Sequence, residues 1–140
     1  MKLEGFFICD AATTDLSGKL NILGAFDKIY TETVPAVHPM CAIAFRIRGS
    51  SNDTAEHKLD LISSNDKGHH LFPKIEITFK LSEKGNEPFP VLNFIINFQA
   101  LKLEKYEEQK IKLRVDDKIN ASIPLRIEPL PNAIITEGQV

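Results

Sequence analysis

Lys110-Ile111-Lys112-Leu113-Arg114-Val115-Asp116-Asp117-Lys118-Ile119-Asn120-Ala121-Ser122-Ile123-Pro124-Leu125-Arg126-Ile127-Glu128 is the stretch that decides the fold. Polar and apolar residues alternate along it, break at Asp116-Asp117-Lys118, and then alternate again. Successive side chains on a strand point to opposite faces, so each half has one dry face and one wet face. Two such strands around a short polar turn form an antiparallel hairpin packed on one side. Pro124 lacks an N–H and therefore belongs at an edge or a bulge.

The same period recurs upstream. Ile75, Ile77, Phe79 and Leu81 alternate with Glu76, Thr78, Lys80 and Ser82. Further strands are predicted over Leu3 to Cys9, Lys19 to Leu23, Cys41 to Arg48, His57 to Ser63 and Val91 to Phe98. In the first of these, Phe6 and Ile8 share one face and Leu3, Phe7 and Cys9 the other, so both faces should be covered. Turns are expected at Asp15-Leu16-Ser17-Gly18, Asn65-Asp66-Lys67-Gly68 and Glu83-Lys84-Gly85-Asn86, where glycine supplies positive φ. Pro35-Ala36-Val37-His38-Pro39 reads as a rigid connection, and Ala100 to Gln109 as room for one helical turn. No segment sustains a 3.6-residue period. About eight strands at this spacing predict an all-β fold, a single antiparallel β-sandwich with an Ig-like layout. Phe45, Phe79, Phe94 and Leu113 should meet in its core.

Composition agrees. The chain has 140 residues, enough for one domain that buries roughly two-thirds of its unfolded surface. Hydrophobic residues make up 43% and charged residues 26%, and with nine Phe and no Trp the large core groups must be Phe, Ile and Leu. The domain is expected over residues 1–127, with a tail over 128–140. Pro129 and Pro131 end the last strand pattern. Beyond them Ala133-Ile134-Ile135-Thr136 is short, apolar and β-prone. It is expected either to dock along a strand edge, with exchange between protomers as a route to a dimer, or to form a loosely packed terminus.

Several functional classes lose their footing here. Net charge is −2, and the Lys102 to Lys112 run interleaves lysines with Glu104, Glu107 and Glu108, which argues against a nucleic-acid face. The apolar run at Phe6 to Cys9 is shorter than the ~7–15 residues of a signal peptide, and nothing approaches the ~18 of a membrane span. A cytoplasmic location is therefore expected, with the sequons at Asn52 and Asn120 unused. Cys9 and Cys41 sit among apolar neighbours and are expected to be buried, reduced and unreactive. His38, His57, His69 and His70 lack metal-ligand spacing, so no metal and no cofactor is expected. No G-x-S-x-G or phosphate-binding glycine loop occurs. No catalytic residue is assigned, and the sequence favours a non-enzymatic role over catalysis.

The most distinctive stretch is Cys9-Asp10-Ala11-Ala12 followed by Gly18-Lys19-Leu20-Asn21-Ile22-Leu23-Gly24-Ala25-Phe26-Asp27. Asp10 ends a hydrophobic strand and starts a turn, while Gly24 marks a bulge or a close backbone approach. These residues resemble the N-terminal signature of a family of small uncharacterised bacterial proteins, a domain of unknown function. The likeness extends through Pro35 to Pro39 and Cys41 to Arg48, and covers about Met1 to Ile127. It implies a cytoplasmic bacterial domain with no assigned activity and no catalytic residues to carry over.

Two functions of different class remain. One is a non-enzymatic interaction or structural module that offers a sheet edge or face to a protein partner or to itself. The other is a small-ligand binder or hydrolase using a depression near Asp10, Asp27 and His38.

Overall fold

The computed structural model describes residues 1–83 and 87–131, and the regular structure among them is entirely β. The strands are β1 (Lys2–Thr14), β2 (Leu20–Ala25), β3 (Lys28–Thr31), β4 (Ala36–Arg48), β5 (Glu56–Ser64), β6 (Ile75–Lys80), β7 (Val91–Leu103), β8 (Glu107–Val115) and β9 (Ile119–Pro129). They form a four-stranded sheet in the order β2-β1-β4-β7 and a five-stranded sheet in the order β3-β9-β8-β5-β6. The expected turn at Glu83 to Asn86 and the expected docking of Ala133 to Thr136 fall on or across residues outside the described ones.

The two sheets share one core. Phe45 and Ile47 of β4, Leu59 and Leu61 of β5, and Ile111 and Leu113 of β8 are fully buried in it. Phe45 stacks on Phe94 at 4.8 Å between ring centroids, and Phe94 meets Phe79 edge-on at 5.0 Å. The four expected core residues therefore meet, with Phe79 and Phe94 half-buried because their strands lie at sheet edges.

Period two located the strands well, and the departures have local causes. There are nine strands among the described residues, not about eight, and the sheets are not wholly antiparallel. The extra one, β3, runs parallel to β9 with Ile29 opposite Ile127. Its four residues are too few to show alternation. The expected helical turn at Ala100 to Gln109 is instead the end of β7, a turn, and the start of β8. Likewise, the expected rigid connection at Pro35 to Pro39 is mostly the start of β4.

Both misreadings share one origin. Ala100 has φ 54°, and Pro39 lies at the matching gap in the β4–β7 ladder, between His38↔Leu101 and Met40↔Gln99. On both strands the inward parity changes there: Leu101 and Leu103 are buried beyond it, whereas Phe94, Ile96 and Phe98 pack inward before it. The β4–β7 register is the same on both sides of this gap, so the paired irregularity leaves the ladder in step while it breaks the alternation along each strand. In β1, a bulge between Leu3 and Gly5 moves Leu3 onto the face of Phe6 and Ile8, against the core rather than away from it. Pro124 lies where expected. Arg126 donates its N–H to Asp27 (2.8 Å), so even-numbered residues of β9 aim away from β8, and Pro124 faces a stretch that β3 does not cover.

The distinctive N-terminal stretch builds a second layer. β1 pairs with β4 as far as Cys9 and from there with β2, so the β1–β2 hairpin leaves the sheet plane. It folds over the outer face of the four-stranded sheet, where Cys9, Ala42 and Ala44 are fully buried beneath Ala12, Leu20 and Ile22. Alanines on β4 leave room for that approach. At the hairpin tip, Gly18 has φ 81° and its carbonyl accepts a bond from the Asn93 amide of β7 at 3.0 Å.

Candidate functional site

Four strands lie at sheet edges, and three of them are short or guarded. β2 and β3 have six and four residues, and β6 carries Glu76 and Lys80. The fourth is β7, thirteen residues long and, among the described residues, paired with no strand but β4. Its run Val91-Leu92-Asn93-Phe94-Ile95-Ile96-Asn97-Phe98-Gln99 holds no charge and no proline. An edge strand presents a row of unpaired N–H and C=O groups, and proteins ordinarily blunt such edges with charge, proline or brevity. Along this run Leu92, Phe94, Ile96 and Phe98 lean into the core, while Asn97 and Gln99 are exposed. Asn93 is held on the outer face, accepting from Arg46 (3.2 Å) and donating to Gly18.

The residues singled out from sequence, Asp10, Asp27 and His38, do not bond to one another. Asp10 is exposed on β1 beside Gly24, whose φ of 66° and lack of a Cβ let the carboxylate pack there. The expected close backbone approach at Gly24 is thus present. Asp27 is exposed and lines a shallow cleft of about 320 Å³ with Phe6, Phe7, Phe26 and Pro124. His38 does not line that cleft; its ring lies 6.0 Å from that of Phe26, and its Nε2 is buried without a hydrogen-bond partner among the described residues.

Two histidines that the sequence left without a role are held between carboxylates. His57, at the start of β5, is 3% exposed; its Nδ1 faces Asp116 at 2.7 Å and its Nε2 faces Asp53 at 3.0 Å. Burial disfavours the imidazolium, but the bonds to Asp116 and Asp53 outweigh it and raise the His57 pKa above its ordinary value. Asp116 is held below the usual carboxylate range by the Lys58 N–H and by His57. Asp53 is also lowered: burial pushes it up, and His57 with the Ala55 N–H more than offsets this.

At the far end of β5, His69 Nδ1 lies 2.8 Å from Glu107, which also accepts from Asn65 and from the fully buried Gln109. The His69 Nε2 lies 3.3 Å from Glu104. These clusters tie loops to strand ends. The Asp53-x-x-x-His57 spacing was the only local signal for either; Asp116, Glu104 and Glu107 are distant in sequence. Among the described residues no three His, Cys, Asp or Glu side chains are arranged to hold a metal ion.

Both cysteines are free and buried. Burial pushes the Cys41 thiol up to about 11, with Cys9 nearby adding to the effect, and burial raises Cys9 as well. Thiolate is the reacting species, so both should label slowly in the native protein and rapidly in denaturant. Fast native labelling with a thiol reagent at pH 7.5 would contradict the burial.

A two-sheet all-β domain with one open, uncharged edge among the described residues is the class of protein these features define. The chain belongs to a family of unknown function, DUF6941, whose model matches residues 4–128. No curated protein matches it. Among solved structures it is similar to a β-glucosidase from Listeria innocua, in complexes with isofagomine and with glucose. Each is 4% identical over 91% of this chain, with TM-scores of 0.50 and 0.49. The chain spans 16% of that enzyme's length. At this identity the likeness concerns the fold alone.

Proposed function

We propose that the chain is a non-enzymatic interaction module of Ig-like layout that accepts an added strand along the open edge of β7. In an Ig-like sandwich, strands A, B, E and D form one sheet and C, F and G face them. Here β1, β4 and β7 fall in the order A-B-E, and β5, β8 and β9 in the order C-F-G. The neighbour of E would be D, and among the described residues no strand occupies that place. The uncharged, proline-free edge left there is the observation that carries the reading. Main-chain bonds to an incoming strand supply affinity in this mode of recognition. Free, buried thiols suit a reducing compartment, and a cytoplasmic location is proposed on that ground. No helix among the described residues is long and apolar enough to cross a membrane.

The test compares the full chain with an Asn97→Lys, Gln99→Lys double variant, both tagged and captured from the native host. These side chains are exposed, so melting should stay within about 0.5 kcal/mol of wild type. The expected result is a protein that accompanies the wild type and is absent from the variant. Identical companions for both would defeat the proposal.

A second reading, a small-ligand binder near Asp10, Asp27 and His38, is supported by the aromatic walls of the cleft that Asp27 lines. It requires a ligand whose binding is lost in Asp27→Ala, and binding unaffected by that change would remove it.

A further inference from the structure

We infer that the strand taken up by β7 is β7 of a second copy, paired antiparallel about Ile95. This rests on the strand-addition reading and adds the identity of the partner. A two-fold contact is isologous: if residue i meets residue j, then j meets i. A strand serves both sides of such a contact only when its sequence is compatible with its own reversal.

The β7 run has that property. Centred on Ile95, Leu92 faces Phe98 of the second copy, Asn93 faces Asn97, Phe94 faces Ile96, and Ile95 faces its own mate. Apolar meets apolar and amide meets amide at each of these positions. Asn97, which has no side-chain hydrogen bond among the described residues, gains a cross-strand amide neighbour.

Three further features select this register. First, pairing about a residue keeps parity, so the inward-leaning Leu92, Phe94, Ile96 and Phe98 of both copies stay on one face and the two cores join. A register centred between residues would set inward side chains opposite outward ones, the one-residue slip that a buried face forbids. Second, a charge within a self-paired segment near the two-fold meets its own like, and Val91 to Gln99 contains none. Third, moving the centre to Asn97 would draw in Ala100, with its φ of 54°, and set Lys102 opposite Leu92. Moving it to Asn93 would leave Phe98 beyond the paired stretch. Ile95 is the centre that uses the whole uncharged run.

Sedimentation equilibrium of the purified full chain from about 1 to 200 µM should show a reversible monomer–dimer equilibrium, since an edge-only contact sits at the small end of protein interfaces. The Asn97→Lys, Gln99→Lys variant should stay monomeric. Cross-linking tests the register. Directly opposed residues of antiparallel strands have Cα atoms about 4.5–5.5 Å apart, within the range a disulfide spans. Ile95→Cys should therefore give a covalent dimer on mild oxidation, while Gln99→Cys, set opposite Val91, should not. Cys9 and Cys41 are buried and do not compete.

A chain monomeric throughout the concentration range, or equal cross-linking at positions 95 and 99, overturns the second copy as partner. If the double variant nonetheless loses a companion in the native host, strand addition stands with a different occupant. If neither effect appears, both readings fall. Ile95→Cys could unfold by losing its packing under the hairpin; the wild-type sedimentation result decides the matter in that case.

Discussion

Replacing His57 with alanine should destabilise the fold by about 3–5 kcal/mol, the range for removing one partner of a buried ion pair. The imidazole is buried, and both its nitrogens face carboxylates. A neutral imidazole has one donor and one acceptor, so only the imidazolium can donate to Asp116 and Asp53 together. Without it the two carboxylates face one another across a gap, with Lys118 as the nearby positive charge. The loss propagates because Asp116 also accepts the Lys58 N–H at 2.9 Å and Asp53 accepts that of Ala55 at 3.0 Å. One residue thus fastens the loop before β5 and the β8–β9 turn to the same strand end.

The same cluster sets a pH dependence. His57 has a folded pKa raised above its ordinary 6.5, so the stability it contributes is fully present below that value and fades as pH rises through the raised one. Asp53 and Asp116 have folded pKa values below their ordinary 3.8, so their contribution is present above 3.8 and fades as pH falls through the lowered ones. The melting temperature should therefore be highest between pH 3.8 and 6.5. Melts from pH 3 to 9 on wild type and His57→Gln provide the check. The wild type should lose stability on the alkaline side while the variant stays flat there, and parallel curves would sink the assignment.

What the sequence revealed and what it hid follow one physical division. Alternation in Ile111 to Val115 and Ile119 to Ile127 is local, and it placed the strands and the inward Phe45, Phe79, Phe94 and Leu113 without help. Features made by distant residues left no mark. The parity change at Pro39 and Ala100 exists only as a pair across β4 and β7, so each half looked like a break in pattern. β3 is a strand because β9 lies beside it. The hairpin over Ala42 and Ala44 was foreshadowed by Gly24 and by the apolar setting of Cys9, though not by anything that told where it would land. The open edge of β7 was in plain view as an uncharged run, but a run of that kind is core or edge according to its neighbours. Only the order β2-β1-β4-β7, which leaves β7 outermost, separates the two.

Phe45→Ala should have the largest effect of any core truncation, about 3–5 kcal/mol, and should lower the melting temperature by roughly 10–15 °C. Phe45 is wholly buried on the central strand β4, stacked on Phe94 and met edge-on by Phe6 at 6.3 Å. Both neighbours belong to strands hydrogen-bonded to β4, so neither can close the cavity without breaking a ladder. Phe79→Ala should cost roughly half as much, because Phe79 lies on edge strand β6 and is half-buried, so solvent can reach the space it leaves. The comparison is more informative than either value. If denaturant melts give equal losses, then β6 is not an edge, and a further strand covers it in solution. A loss at Phe79 with little at Phe45 would mean that the parity of β4 is inverted. That outcome would also reverse the face on which Leu92, Phe94, Ile96 and Phe98 lie, and with it the register about Ile95.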